Sequence, residues 1–252
     1  MSSVLLLCVA GLAVVLFGPN LKCLPGLWHL RILYILIRKN LIPAADRQAL
    51  FKPHISTSRA PLFEIDIQLH KTNSSYFADL DESRLGLLVR VFPECFSTGK
   101  NKMRLAMGGT SCTFFRAIAP FQAYEMRSQV LCWDDKWLYL ASYFILSGGG
   151  RKLDQSQTGR RQKAPLLKSS PEGHDYEVDL ARSVVIASAI TKYCFKSGRT
   201  TVAPQQILER RQLLPPGREA EWQARNTERM QIASAFNDLS VLRDHLLLVT
   251  EE

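Results

Sequence analysis

The sequence predicts an alpha-plus-beta (α+β) domain in which an antiparallel sheet wraps one long central helix, and three observations predict it. A helix-length segment beyond residue 73 places Phe77, Leu80, Leu87, Leu88 and Val91 near helical spacing and is closed by Pro93. Strand signals follow in series, at Thr110 to Ile118, Phe121 to Cys132, Trp137 to Ser147 and Val184 to Lys196. Composition allows one buried core: of 252 residues, 46% are apolar and 22% charged, which suits a single well-packed domain with appendages.

The chain opens with an uninterrupted apolar run, Val4 to Phe17. Taken from Met1 to Gly18 it approaches the minimum of about 17 residues for crossing a bilayer. No basic residue precedes Val4, and Gly18-Pro19-Asn20-Leu21-Lys22 follows, so residues 1–20 are expected to be a retained membrane anchor helix and not a cleaved signal. Lys22, Arg31, Arg38, Lys39 and Arg47 all lie downstream, which predicts a single-pass anchor with the domain in the cytosol, the endoplasmic reticulum being a candidate membrane. Residues 21–58 read as a basic amphipathic juxtamembrane segment. Within it, Leu27 to Ile37 is too short to span and is expected to lie along the interface, with Trp28 and Tyr34 as anchors.

The main domain is expected over residues 59–214. A short strand from Leu62 should lead into the Asp66 to Tyr76 turn and a helix, for which Asn73, Ser74 and Ser75 are candidate caps and Asp79, Asp81 and Glu82 suit an N-terminal turn. In the strand from Phe121, Tyr124, Met126, Ser128, Val130 and Cys132 alternate with Glu125, Arg127 and Gln129, predicting one wetter face. Trp133-Asp134-Asp135-Lys136 makes a hairpin, and Trp137 to Leu146, apolar on both faces, should be a central strand. Gly148-Gly149-Gly150 opens a basic, flexible insertion at about 148–182. A C-terminal tail, 215–252, carries a helix with Trp222, Met230, Ile232, Ala233, Phe236, Leu239 and Leu242 at its apolar positions.

A net charge of +9 suits an anionic partner: a membrane surface, a nucleotide-bearing thioester or nucleic acid. The basic run lacks interleaved aromatics, so no nucleic-acid partner is expected. Six scattered cysteines, with no C-x-x-C pair and no histidine at ligand spacing, read as free thiols, and no metal centre is expected. His29, His54, His174 and His245 have no evident partners and read as surface or interfacial residues.

The stretch Glu64 to Tyr76 gathers a carboxylate (Asp66), an imidazole (His70) and an amide (Asn73) on a turn that runs into a helix N-terminus, where free N–H groups favour developing negative charge. Those are the parts acyl transfer needs: a base or nucleophile, a proton shuttle and oxyanion donors. A locally hydrogen-bonded polar turn and a plain helix cap account for the same residues. Asn73-Ser74-Ser75 is also a glycosylation sequon, and its use would exclude catalysis at that place.

Asp66-Ile-Gln-Leu-His70-Lys-Thr-Asn73-Ser-Ser-Tyr76 resembles the D-x-x-x-H-x-N-N-x-x-Y signature of hotdog thioesterases related to 4-hydroxybenzoyl-CoA thioesterase and the plant acyl-carrier thioesterases. Pro120 to Asp135, followed by Leu138-Tyr139, resembles the strand-turn-strand of thioesterase superfamily member six, and the long insertion resembles fungal biosynthetic-cluster thioesterases of the lcsJ type. The resemblance implies a hotdog fold and hydrolysis by water, without cofactor, of an acyl-CoA or carrier-bound acyl or polyketide thioester, in secondary metabolism and in a homodimer. It implies Asp66 as base or nucleophile, His70 as its partner and Asn73 as a carbonyl polariser, with Ser74, Ser75 and Tyr76 lining the substrate. Thr72 and Gln68 stand where relatives carry asparagine. Thr72 also fits an alternative, a non-catalytic acyl-binding scaffold at the membrane; a dehydratase is disfavoured because its signatures are absent.

Overall fold

In chain order the elements are α1 (Leu27–Arg38), β1 (His54–Arg59), α2 (Asn73–Val91), β2 (Met103–Phe114), β3 (Ala123–Trp133), β4 (Leu138–Leu146), β5 (Val185–Ser197), β6 (Thr200–Val202), α3 (Pro204–Arg210) and α4 (Glu219–Asn237). The computed structural model describes residues 20–42, 50–97, 103–146, 184–214 and 217–237, with Leu5, Cys8, Gly11 and Gly18 before them. Most of the expected anchor, the 148–182 insertion, and Leu239 and Leu242 lie outside the described residues, as do His174 and His245. Among the described residues no helix is long and apolar enough to cross a membrane.

The strands form one antiparallel sheet in the order β1-β3-β4-β5-β2, with β6 paired to β5. The sheet curls around α2. Tyr76 and Leu80 pack against Tyr124, Met126, Phe144 and Ala187 at one end, while Leu87, Leu88 and Val91 meet Val130, Leu138, Leu140 and Phe195 at the other. Each such side chain removed from water contributes about 1.5–3 kcal/mol before entropy is counted. β4 is the central strand because it can bury both faces: Leu138 and Leu140 face α2, and Tyr139 and Ala141 face α4.

Polar groups carry the contact through the middle of the helix. Ser83 bonds Ser128 at 2.8 Å, and Ser128 bonds Ser142 at 2.7 Å, so hydroxyls link α2, β3 and β4. The wholly buried Arg84 donates to the Leu80 carbonyl at 3.1 Å, to Thr110 Oγ1 at 3.0 Å and to Thr191 Oγ1 at 2.7 Å, and pairs with Asp81 at 2.5 Å.

Four expectations are corrected. The segment at Leu62 is a short 3-10 helix, Leu62–Glu64, and the strand lies earlier, at β1. Pro61 has no N–H to continue the ladder, whereas His54 to Arg59 alternates between half-buried and exposed residues opposite β3. The second helix begins at Asn73, so Asp79 belongs to its second turn and is buried, not paired with the helix dipole. A bulge between Val130 and Cys132 inverts the alternation in β3, so Cys132 faces α4 with Leu131, Ala233 and Phe236, while Ile232 of α4 points to solvent. The Asn226 side chain serves that bulged end, accepting from Trp133 N and donating to Trp133 O, each at 2.9 Å.

The fourth correction is His54, which is half-buried against α2. Its ring lies over Gly86 of α2, and burial, aided by Arg90, holds its pKa down to about 4, so it is neutral in the fold. A Cβ on Gly86 would meet the ring, 2.6 Å from Cε1. Gly86→Ala gains about 1 kcal/mol of helix propensity but overpacks this contact by about 1–3 kcal/mol. Net destabilisation is expected in denaturant melts; in a His54→Ala background the same change should turn stabilising.

α1 packs along α2, tied by Arg31 to Glu82 at 2.6 Å. Trp28 is half-buried on its inner side, whereas Leu30, Leu33, Tyr34 and Ile37 form an exposed stripe, so Trp28 and Tyr34 do not share one anchoring face.

Candidate active site

The turn between the 3-10 helix and α2 is closed by its own backbone. Asp66 N donates to His70 O at 2.8 Å, Ile65 and Lys71 form a bridge, and Lys71 N reaches Ile118 O at 2.8 Å. Reversing the chain in so few residues puts Leu69 at φ +60°, a left-handed conformation unfavourable for a leucine and held here by the surrounding bonds.

Asp66 organises the tip. Its Oδ1 accepts from Gln68 N at 2.9 Å and from His70 N at 3.1 Å, leaving Oδ2 without a partner among the described residues. One carboxylate oxygen therefore fixes the side chain and the other is available for chemistry. The His70 ring is exposed and makes no hydrogen bond among the described residues. Thr72, which donates its N–H to Glu64 O at 2.7 Å, occupies the N-cap position without a side-chain cap bond, and Asn73 is the first helical residue. The N–H groups of Asn73 and Ser74 precede the helix's own i to i−4 bonds and are donors in need of acceptors. Ser75 instead turns inward on the cap, its Oγ donating to Thr72 O at 2.8 Å.

Tyr76 is placed differently from the other candidates. Its ring is buried between Phe114 and Phe144, with centroids 4.9 and 4.8 Å away, and burial first, then Cys112 and Asp79, pushes its hydroxyl pKa up. It belongs to the core behind the turn. Asp134 of the acidic hairpin is structural: it accepts from Lys136 N, Trp137 N and Tyr139 OH.

Sequence reasoning missed the charged groups beneath the turn: Glu64 and Lys71 at its feet, Asp79 from α2, Tyr124 from β3, and Lys22 from ahead of α1. Lys22, read as a topology signal, is an internal ion-pair partner. Only one signal was available, an acidic residue at Asp79 inside the apolar spacing of Tyr76, Leu80 and Leu87.

An antiparallel sheet curled on one long helix is the hotdog arrangement, and a carboxylate, an imidazole and helix N-terminal N–H groups stand where that helix begins. Residues 61–159 match the model of the Thioesterase-like superfamily. The chain is 39% identical over 229 residues to thioesterase poxG of Penicillium oxalicum, covering 82% of this chain and 72% of that one. It is 34% identical over 231 residues to the probable thioesterase atnL of Emericella nidulans (80% and 70% covered). Against thioesterase lcsJ of Purpureocillium lilacinum identity is 27% over 266 residues (88% and 77% covered). The protein belongs to the thioesterase-like superfamily, and thioester hydrolysis is the reaction class that membership carries.

Proposed function

We propose that the protein hydrolyses an acyl-CoA or carrier-bound acyl or polyketide thioester at the Asp66 turn. The observation that carries this reading is the Asp66 carboxylate, held through one oxygen by two backbone N–H groups, with the other oxygen unpaired, a few residues ahead of the α2 N-terminus. Water attacks the thioester carbonyl carbon as Asp66 takes its proton. Negative charge developing on the carbonyl oxygen is met by the N–H groups of Asn73 and Ser74 and the helix dipole, each such donor being worth about 3 kcal/mol in the transition state. Collapse breaks the C–S bond; the proton passes by way of His70 to the leaving thiolate, giving free acid and thiol. Fungal relatives named as thioesterases support a thioester as the substrate. Thiol release across short, long and aromatic acyl-CoAs and carrier-linked acyl groups tests the reaction. Silence from the wild type on all of them would instead favour the acyl-binding scaffold, which Thr72 at the N-cap fits.

Two features extend the reading to assembly and location. β2 is an edge strand with Met107 exposed, so a second copy pairing along it would cover an open ladder. The exposed stripe on α1, in a stretch with no acidic residue before Asp46, suits an anionic membrane surface beside the apolar run Val4 to Phe17. A dimer mass by light scattering and co-sedimentation of the full-length chain with phosphatidylserine vesicles are the expected results. A monomer mass, or binding unchanged by Leu33→Glu, would count against the respective assignment.

A further inference from the structure

Beneath the turn, four charges alternate in a closed ring. Lys22 Nζ lies 3.0 Å from Glu64 Oε1 and 2.5 Å from Asp79 Oδ1; Lys71 Nζ pairs with Glu64 Oε2 and lies 3.0 Å from Asp79 Oδ2. Tyr124 donates its hydroxyl hydrogen to Asp79 Oδ2 at 2.5 Å and accepts from Lys22 at 3.1 Å. The side chains of Lys71 and Asp79 are 0% and 1% exposed, so water contributes little to balancing this charge. Burial alone would push the Asp79 carboxyl up; Lys22 and then Lys71 outweigh it and hold the carboxyl below its usual range.

The ring is neutral only when Lys22 is present. Its other three charged members belong to the turn and the helix behind it: Glu64 and Lys71 are the two feet of the turn, and Asp79 is the α2 residue behind them. Lys22 comes from a separate segment, brought in by Asn20, whose Oδ1 accepts from Phe63 N at 2.9 Å, and by the Arg31–Glu82 pair. Without Lys22, two carboxylates would share one ammonium in a largely buried site, an arrangement relieved by protonation or by opening. Glu64 stands at a foot of the turn, so opening there moves Asp66.

We propose that Lys22 is a positioning residue for thioester hydrolysis, and that the segment ahead of α1 locks the Asp66–His70 turn by supplying the second cation of this ring. The inference rests on the reading of that turn as catalytic. It makes the described residues ahead of α1 part of the active site's support, with Lys22 acting on the turn through Glu64 and Asp79.

Hydrogen exchange and kinetics on the full-length chain test it. In Lys22→Met the N–H groups of Gln68, His70, Lys71 and Thr72 are expected to exchange about tenfold faster or more, with β4 unchanged. On the acyl-CoA that the wild type turns over fastest, kcat should fall about tenfold with KM unmoved, as expected when transition-state alignment and not binding is lost. Adding Glu64→Gln leaves one ammonium facing one carboxylate and should restore both readouts. Unchanged exchange at the turn, or a rise shared equally by β4, would overturn the proposal. The wild type gives a check that does not depend on any variant folding: the N–H groups of Cys23 and Leu24, bonded to Asn20 O and Leu21 O, should open with the same free energy as those of Lys71 and Thr72. Amides at 23–24 that open alone while the turn stays protected would also overturn it. A wild type inactive on every thioester defeats the hydrolase reading, whereas exchange alone decides the lock.

Discussion

Asp66→Asn is expected to lower kcat for thioester hydrolysis by about 10²–10⁴-fold, the range for removing a positioned general base, with little change in melting temperature. The substitution is informative because Asp66 has two separable duties. Asparagine keeps an Oδ1 that can accept from Gln68 N and His70 N, so the turn stays closed, but a neutral amide cannot take a proton from water. Asp66→Ala removes both duties and should lower stability as well as rate, by about 1 kcal/mol for the lost turn bonds. Thiol release measured beside thermal melts separates the two. Equal rates for wild type and Asp66→Asn would remove Asp66 from the chemistry and leave it as a turn residue only.

Lys71→Met should produce the largest loss of stability, about 3–5 kcal/mol, since it strips a fully buried cation from two carboxylates. In a domain of this size that corresponds to about 10 °C in Tm. The sign of the pH dependence follows from Asp79. In the wild type its folded pKa is depressed, so its contribution is present above its unfolded value of 3.8 and is lost as pH falls through the folded value. With Lys71 gone, Lys22 and the Tyr124 hydrogen bond are left against burial and the folded pKa rises, so the stability that ionised Asp79 adds at neutral pH shrinks. The gap between mutant and wild type should therefore be widest near neutral pH and narrow toward pH 4. A gap that is constant with pH would show that lost packing, not charge, accounts for the cost. Glu64→Gln added to Lys71→Met should recover part of the loss at neutral pH.

What could be read from the sequence depended on local or periodic signals. The helix between Asn73 and Pro93 declared itself by its apolar spacing, and the central strand by being apolar on both faces. Asp66, His70 and Asn73 lie within eight residues, so placing them on one turn needed only local chain reversal, which backbone hydrogen bonding inside that span supplies. The strand at Leu62 went the other way because a single proline took away a ladder donor, an effect that apolar content does not register.

The tertiary structure alone decided which charges are internal. Lys22, Glu64, Lys71 and Asp79 span nearly sixty positions, and their spacings resemble those of ordinary surface residues. Only the wrapping of the sheet and the docking of α1 bring them to within 3 Å and remove the water that would otherwise screen them. The same holds for Arg84, His54 over Gly86 and the inverted Cys132: each depends on what another element places opposite it. By itself the sequence determined the long helix, the central strand and the turn that joins the 3-10 helix to α2, because covalent neighbours and local periodicity make them. The support of that turn comes from distant segments, whose energies exist only once burial has lowered the local dielectric.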